Sequence, residues 1–252
     1  MYANLNVFMR IFSFLSFFFI SSVLFSQIET NGELEPTEIK EIKEKKTSTH
    51  SGVELFITYH GLQSNRTLEE NKAPWGDPLG SKENEVGEWV NSFSAGVRTE
   101  LGANIYLDMG VGYFTNQQSV LFESVDSTFS SLETFRHIGV PLKIAYISPG
   151  EIAFYAGVGV MPKAFLGQAV SEEISTSAFG KQNNDFIVRN GFERVLLDLT
   201  ATLGVRAELS EKYGAMLAIE GRRQLTNNYD DQGPYIRKSY HVGFSFGLQF
   251  YL

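Results

Sequence analysis

Three histidines, His60, His137 and His241, sit at one parity of alternating segments, each near the end that meets a long polar connection. An imidazole can act as base for a hydroxyl nucleophile or ligate a metal. Ser94, Ser245 or a loop serine would supply the hydroxyl, but no spacing among them singles out a triad. If the segments close into a ring, His241 falls near His60, and two imidazoles alone make only the start of a metal site. The reading is therefore of hydrogen-bonded interior histidines, with no catalytic residue, cofactor or metal. There is no cysteine, so thiolate ligands, thiol nucleophiles and disulfides are excluded.

The same parity carries the acids Glu54, Glu100, Asp108, Glu151, Asp198, Glu208 and Glu220 and the bases Arg98, Lys143, Lys163, Arg194, Arg206 and Arg222. A selective pore favours a ring of one sign. Near-balanced signs in a narrow space predict a paired network instead, centred on Arg98, Asp108, Lys143, Asp198, Arg206, Glu220 and Arg222. Hairpin spacing puts Arg98 near Asp108 across the turn at Gly102, and Asp198 opposite or diagonal to Arg222.

The elements that must hold these residues follow from period two, the pattern of strands with unlike faces. Eight segments show it: Ser51 to Gly61, Trp89 to Leu101, Ala103 to Phe114, Phe135 to Ile147, Glu151 to Met161, Glu193 to Leu209, Tyr213 to Thr226 and Ser239 to Leu252. One face reads Val53, Leu55, Ile57, Tyr59, or Ile138, Val140, Leu142, Ile144, Tyr146; the other is Gly, Ser, Thr and charge. Each is long enough to cross a bilayer at a tilt, which takes about 9 to 11 residues. Connections alternate in length. Polar loops are expected at Leu62 to Glu88, Thr115 to Thr134, Pro162 to Phe192 and Asn227 to Lys238, and tight turns at Gly102, Ser148 to Gly150 and Ser210 to Lys212. Pro141, inside the fourth segment, predicts a bulge or kink.

Alternation does not say which face is wet, because a soluble ligand-carrying barrel would turn the apolar face inward. Bulk decides it. The interior of an eight-stranded barrel is narrow, and the glycines, among them Gly96, Gly110, Gly139, Gly159, Gly204 and Gly243, share the polar face. The polar face therefore points in and the large apolar residues point to lipid. Tyr59, Trp89, Tyr113 and Tyr240 at loop-side ends, with Tyr146 and Tyr213 at turn-side ends, would form an aromatic girdle. The predicted fold is all-β, an eight-stranded antiparallel transmembrane up-and-down β-barrel spanning 51–252, monomeric and embedded among outer-membrane lipids.

Ahead of it, one positive charge at Arg10, an apolar run from Ile11 to Phe25 and Ser26 read as a cleaved signal peptide over 1–26. Residues 27–50 read as a charged, solvated periplasmic linker. A formal charge of −8 gives no basic surface for nucleic acid.

The segment HIGVPLKIAYISPGEIAFYAGVGV and the closing SYHVGFSFGLQFYL resemble the PorT-like small outer-membrane β-barrel proteins of Gram-negative bacteria, over about residues 51 to 252. That resemblance implies insertion by the barrel assembly machinery and a link to secretion or surface assembly through other envelope proteins. The expected role is structural or interactive, without catalysis; a small-solute channel or a lipid-modifying outer-membrane enzyme are the alternatives.

Overall fold

The computed structural model describes residues 52–70, 85–177, 180–229 and 235–252. The expected signal peptide and linker lie outside these residues, as do 71–84, 178–179 and 230–234 of the expected loops. The elements are β1 (Val53–Glu70), β2 (Glu85–Gly87), β3 (Trp89–Gly102), β4 (Ile105–Glu123), β5 (Ser127–Gly139), β6 (Leu142–Ile147), β7 (Ile152–Thr176), β8 (Gly180–Val188), β9 (Val195–Glu208), β10 (Tyr213–Gln224) and β11 (Tyr235–Tyr251).

All pairings are antiparallel, and they close. β1 pairs with β3, β3 with β4, β4 with β5 and β6, these with β7, then β9, β10 and β11, which returns to β1. With β5 and β6 counted as one interrupted strand, the ring has eight members. The closing ladder runs from Glu54 opposite Tyr251 to Glu70 opposite Tyr235, so the first and last strands leave each other no open edge.

Pro141 interrupts the fourth strand without bulging it. Gly139 faces Gly112 and Leu142 faces Met109, and against β7 the same residues face Lys163 and Val160, so the register is unbroken on both sides. The flanking groups stay bonded: Gly110 donates to the Pro141 carbonyl and Val140 to that of Pro162. Proline costs the ladder only the donor it lacks. The true bulge is in β7, where Arg136 faces Gly167 and His137 faces Phe165, so Leu166 is extra and the inward parity shifts from Phe165 to Gln168. The turn between β3 and β4 closes through Asn104, whose φ of 66° lies where Asn is one of the few tolerant side chains.

Two expected loops are strands instead. Thr115 to Thr134 forms the upper part of a β4–β5 hairpin, paired as far as Glu123 with Thr128. Pro162 to Phe192 continues β7 to Thr176, which then folds back as β8. The first expected loop likewise begins as strand, up to Glu70. β7, at 25 residues, far exceeds the roughly 9 to 11 that a tilted bilayer crossing needs. β2, β4, β5, β7 and β8 thus continue above the ring as a sheet, with β8 at one edge.

Inside and outside are inverted relative to a water-soluble core. Ile57, Phe93, Val111, Ile144, Val158, Leu217, Phe244 and Phe246 are exposed on the outer wall, while Arg98, Asp108, Lys163, Asp198, Arg206, Glu220 and Arg222 are buried within. The interior is tight enough to require glycine. A Cβ at Gly96 would strike the Met109 carbonyl and the Gly110 backbone, and one at Gly243 the Gly61 carbonyl.

Candidate functional site

Three tiers of side chains fill the lumen. The lowest, beside the tight turns, is built on Arg98 from β3. Its guanidinium clasps Asp108 on β4, the strand directly opposite, with Nε to Oδ1 at 2.6 Å and Nη2 to Oδ2 at 2.8 Å. Nη1 reaches Glu54 at 3.3 Å, and the other oxygen of Glu54 accepts from Arg206 Nη2 at 2.8 Å. Tyr155 donates to Asp108 Oδ2 at 2.9 Å, and its ring lies 5.1 Å from the Arg98 guanidinium. Arg206 in turn lies over Tyr251 at 5.1 Å. Two carboxylates and two guanidiniums satisfy one another here, the condition under which buried charge is tolerated.

The middle tier holds His60, Ser94 and Glu220. His60 Nδ1 is 2.8 Å from Glu220 Oε2, and its Nε2 is 2.9 Å from Ser94 Oγ. Glu220 Oε1 accepts from Arg222 Nε at 2.6 Å and lies 3.8 Å from Lys143 Nζ, which donates to Thr202 at 3.1 Å. The order hydroxyl, imidazole, carboxylate is that of a serine hydrolase relay. Here the three buried side chains face a cavity of about 30 Å³, room for a water or two and not for an acyl substrate. Sequence reasoning placed His60 and Ser94 among candidates but missed Glu220 as their acid. No local spacing could reveal it, because β10 and β1 are separated by β11 and the contact crosses the lumen.

The upper tier is a salt bridge under an aromatic lid. Lys163 Nζ meets Asp198 Oδ2 at 2.7 Å. This corrects the expected partner of Asp198: the carboxylate is diagonal to Arg222, which sits opposite Thr200, but it pairs across to β7 while Arg222 turns to Glu220. Above it, Phe165, Phe135 and Tyr229 gather around Phe192, at 4.7, 5.8 and 5.3 Å between ring centroids. The Arg237 guanidinium lies 3.7 Å over the Phe135 ring and donates to Gln118 Oε1 at 2.8 Å.

Other expectations change. His241 stands opposite Ser64 and His60 opposite Ser245, so the two imidazoles are offset along the closing ladder, and His60 is committed to Glu220 and Ser94. Among the described residues no group of three or more His, Asp or Glu is placed to hold a metal. Glu100, Glu151, Arg194 and Glu208 are exposed, because they lie near strand ends where the interior opens to water.

On the outer wall, Trp89, Tyr113, Tyr146 and Tyr213 are exposed, and Tyr59 and Tyr240 half-buried. Beyond Tyr59 the outward residues of β1 become Gly61 and Gln63, and beyond Tyr113 those of β4 become Thr115 and Gln117. Tyr146 and Tyr213 stand beside two of the three tight turns at the other end. These aromatics flank the exposed aliphatic zone.

Neither a protein-family model nor a curated protein matches the sequence. Among solved structures, the chain is similar to the outer membrane protein OprG from Pseudomonas aeruginosa, at 12% identity over 81% of this chain and 98% of that one, with a TM-score of 0.43. It is also similar to Neisserial surface protein A, at 9% identity over 80% of this chain and 98% of that one, TM-score 0.41. A further similarity is to Ail, the attachment invasion locus protein of Yersinia pestis, at 14% identity over 79% and 98%, TM-score 0.33.

Proposed function

We propose that this chain is an exported, non-catalytic bacterial outer-membrane barrel whose sealed lumen anchors a sheet presented outside the cell. The observation that carries this reading is the inversion of the ring: an aliphatic wall between aromatic bands, wrapped around charges that pair with one another. Hydrocarbon is the solvent that wall favours, and a closed ring satisfies every backbone group of the crossing strands. With the tight turns facing the periplasm, β1 begins there and the β4–β5 and β7–β8 hairpins project outward.

Two features weigh against the alternatives. Paired charges and the Phe192 cluster occupy the path that a solute would take. The Ser94, His60 and Glu220 relay is enclosed, so lipid at the barrel surface cannot reach its hydroxyl. Insertion by the barrel assembly machinery, and the secretion or surface-assembly role implied by the PorT-like resemblance, belong to the same proposal. The projecting sheet is its contact region: Leu121, Val125 and Ile187 are exposed there, well above the girdle.

The chain's lack of cysteine makes the test clean. Val125→Cys at the β4–β5 tip is expected to react with a membrane-impermeant maleimide on intact cells, and Ser148→Cys at a tight turn only after the envelope is opened. Photo-crosslinkers at Leu121 and Ile187 are expected to trap envelope proteins that a crosslinker at Leu217 in the wall does not. Labelling of Ser148→Cys in intact cells would reverse the orientation, and absence of protein adducts from both Leu121 and Ile187 would remove the interaction role.

A further inference from the structure

We infer that the middle tier of the lumen is a binding site for one halide-sized monovalent anion. The cavity there is lined by the cations Arg98, Lys143 and Arg222 and by only two carboxylates, Asp108 and Glu220. Beside the cavity, Glu54, which also binds Arg98, is matched by Arg206, whose second contact, Glu208 at 3.8 Å, lies at the exposed rim. The cavity wall therefore carries one more cation than carboxylates, and Glu220 is shared between Arg222 and Lys143.

The surplus localises to Lys143. Both oxygens of Asp108 are taken by Arg98, and those of Glu220 by Arg222 and His60, at hydrogen-bond distance. Lys143 reaches Glu220 only at 3.8 Å, outside hydrogen-bond range, and spends one of its three donors on Thr202. Two hydroxyls complete a donor set. Thr200 and Ser245 line the same cavity, are each 1% exposed, and have no hydrogen-bond partner among the described residues. An ammonium with unspent donors and two unpaired hydroxyls around a net positive cavity is the complement of a small anion. Size sets the class: about 30 Å³ accepts one or two water-sized atoms and excludes phosphate, sulfate or a carboxylate ligand.

Bromide, which scatters anomalously, is the probe. The full barrel refolded and crystallised in sodium bromide is expected to show one bromide in the lumen beside Lys143. Lys143→Met keeps the length of the side chain and removes the surplus charge, so the folded variant is expected to lose the bromide. Should that variant not fold, wild type unfolded in matched bromide and gluconate gives an independent reading. Gluconate is too large for the cavity, and saturating bromide is expected to raise the midpoint by about 3 °C. A wild-type lumen holding only water, a bromide retained in folded Lys143→Met, or equal midpoints in the two salts would overturn the inference.

Discussion

Arg98 is the residue on which most of the lower lumen depends, since it touches Asp108, Glu54, Tyr155 and the ring of Phe56. Arg98→Met is expected to destabilise the barrel by about 3 kcal/mol or more, because it leaves the buried Asp108 carboxylate without a cation while Glu54 keeps Arg206. The midpoint of urea unfolding in lipid vesicles measures this; Arg98→Met combined with Asp108→Leu should lose less than the sum of the two single changes. Ser94→Ala removes only the Ser94–His60 bond and is expected to cost about 1 kcal/mol. It should leave the lipid A of an overexpressing strain unchanged from that made with wild type, whereas a difference would revive the enzyme reading. At this scale the sequence was legible where partners share a hairpin. Arg98 and Asp108 flank one short turn, so their meeting follows from strand counting. Lys163 with Asp198, and Ser94 with His60 and Glu220, depend on which lumen residues tilt toward one another, which alternation does not encode.

Strands were legible as far as one face met apolar surroundings. From Tyr59 down β1, or Tyr113 down β4, alternation marks both the existence and the facing of the strand. Above those residues polar side chains occupy both faces of the sheet, and stretches such as Gln117-Gln118-Ser119 or Glu172-Glu173 carry no period-two signal, although they are fully paired with β5. Backbone pairing continued from the ring below holds them as strands. Replacing Gln168 to Val188 with a tight turn is therefore expected to leave the ring intact, read as a retained mobility shift between boiled and unboiled samples. Gly96→Leu is the converse case. Its side chain has no space against Met109 and Gly110, so the folded, fast-migrating form is expected to be lost.

At the scale of the whole molecule, two solvents explain one chain: hydrocarbon outside the ring and a crowd of paired charges inside it. The last strand illustrates this, for Phe244, Phe246 and Leu248 are exposed on the wall while Ser245, Gln249 and Tyr251 are buried. On the proposed reading a barrel so filled is an anchor, and its function belongs to what it holds above the membrane. Conductance of the purified barrel in a planar bilayer tests that claim most directly. The expected result is a flat baseline at both polarities, with no stepwise openings from wild type; a stable open state of large conductance would contradict the sealed lumen and return the chain to the channels.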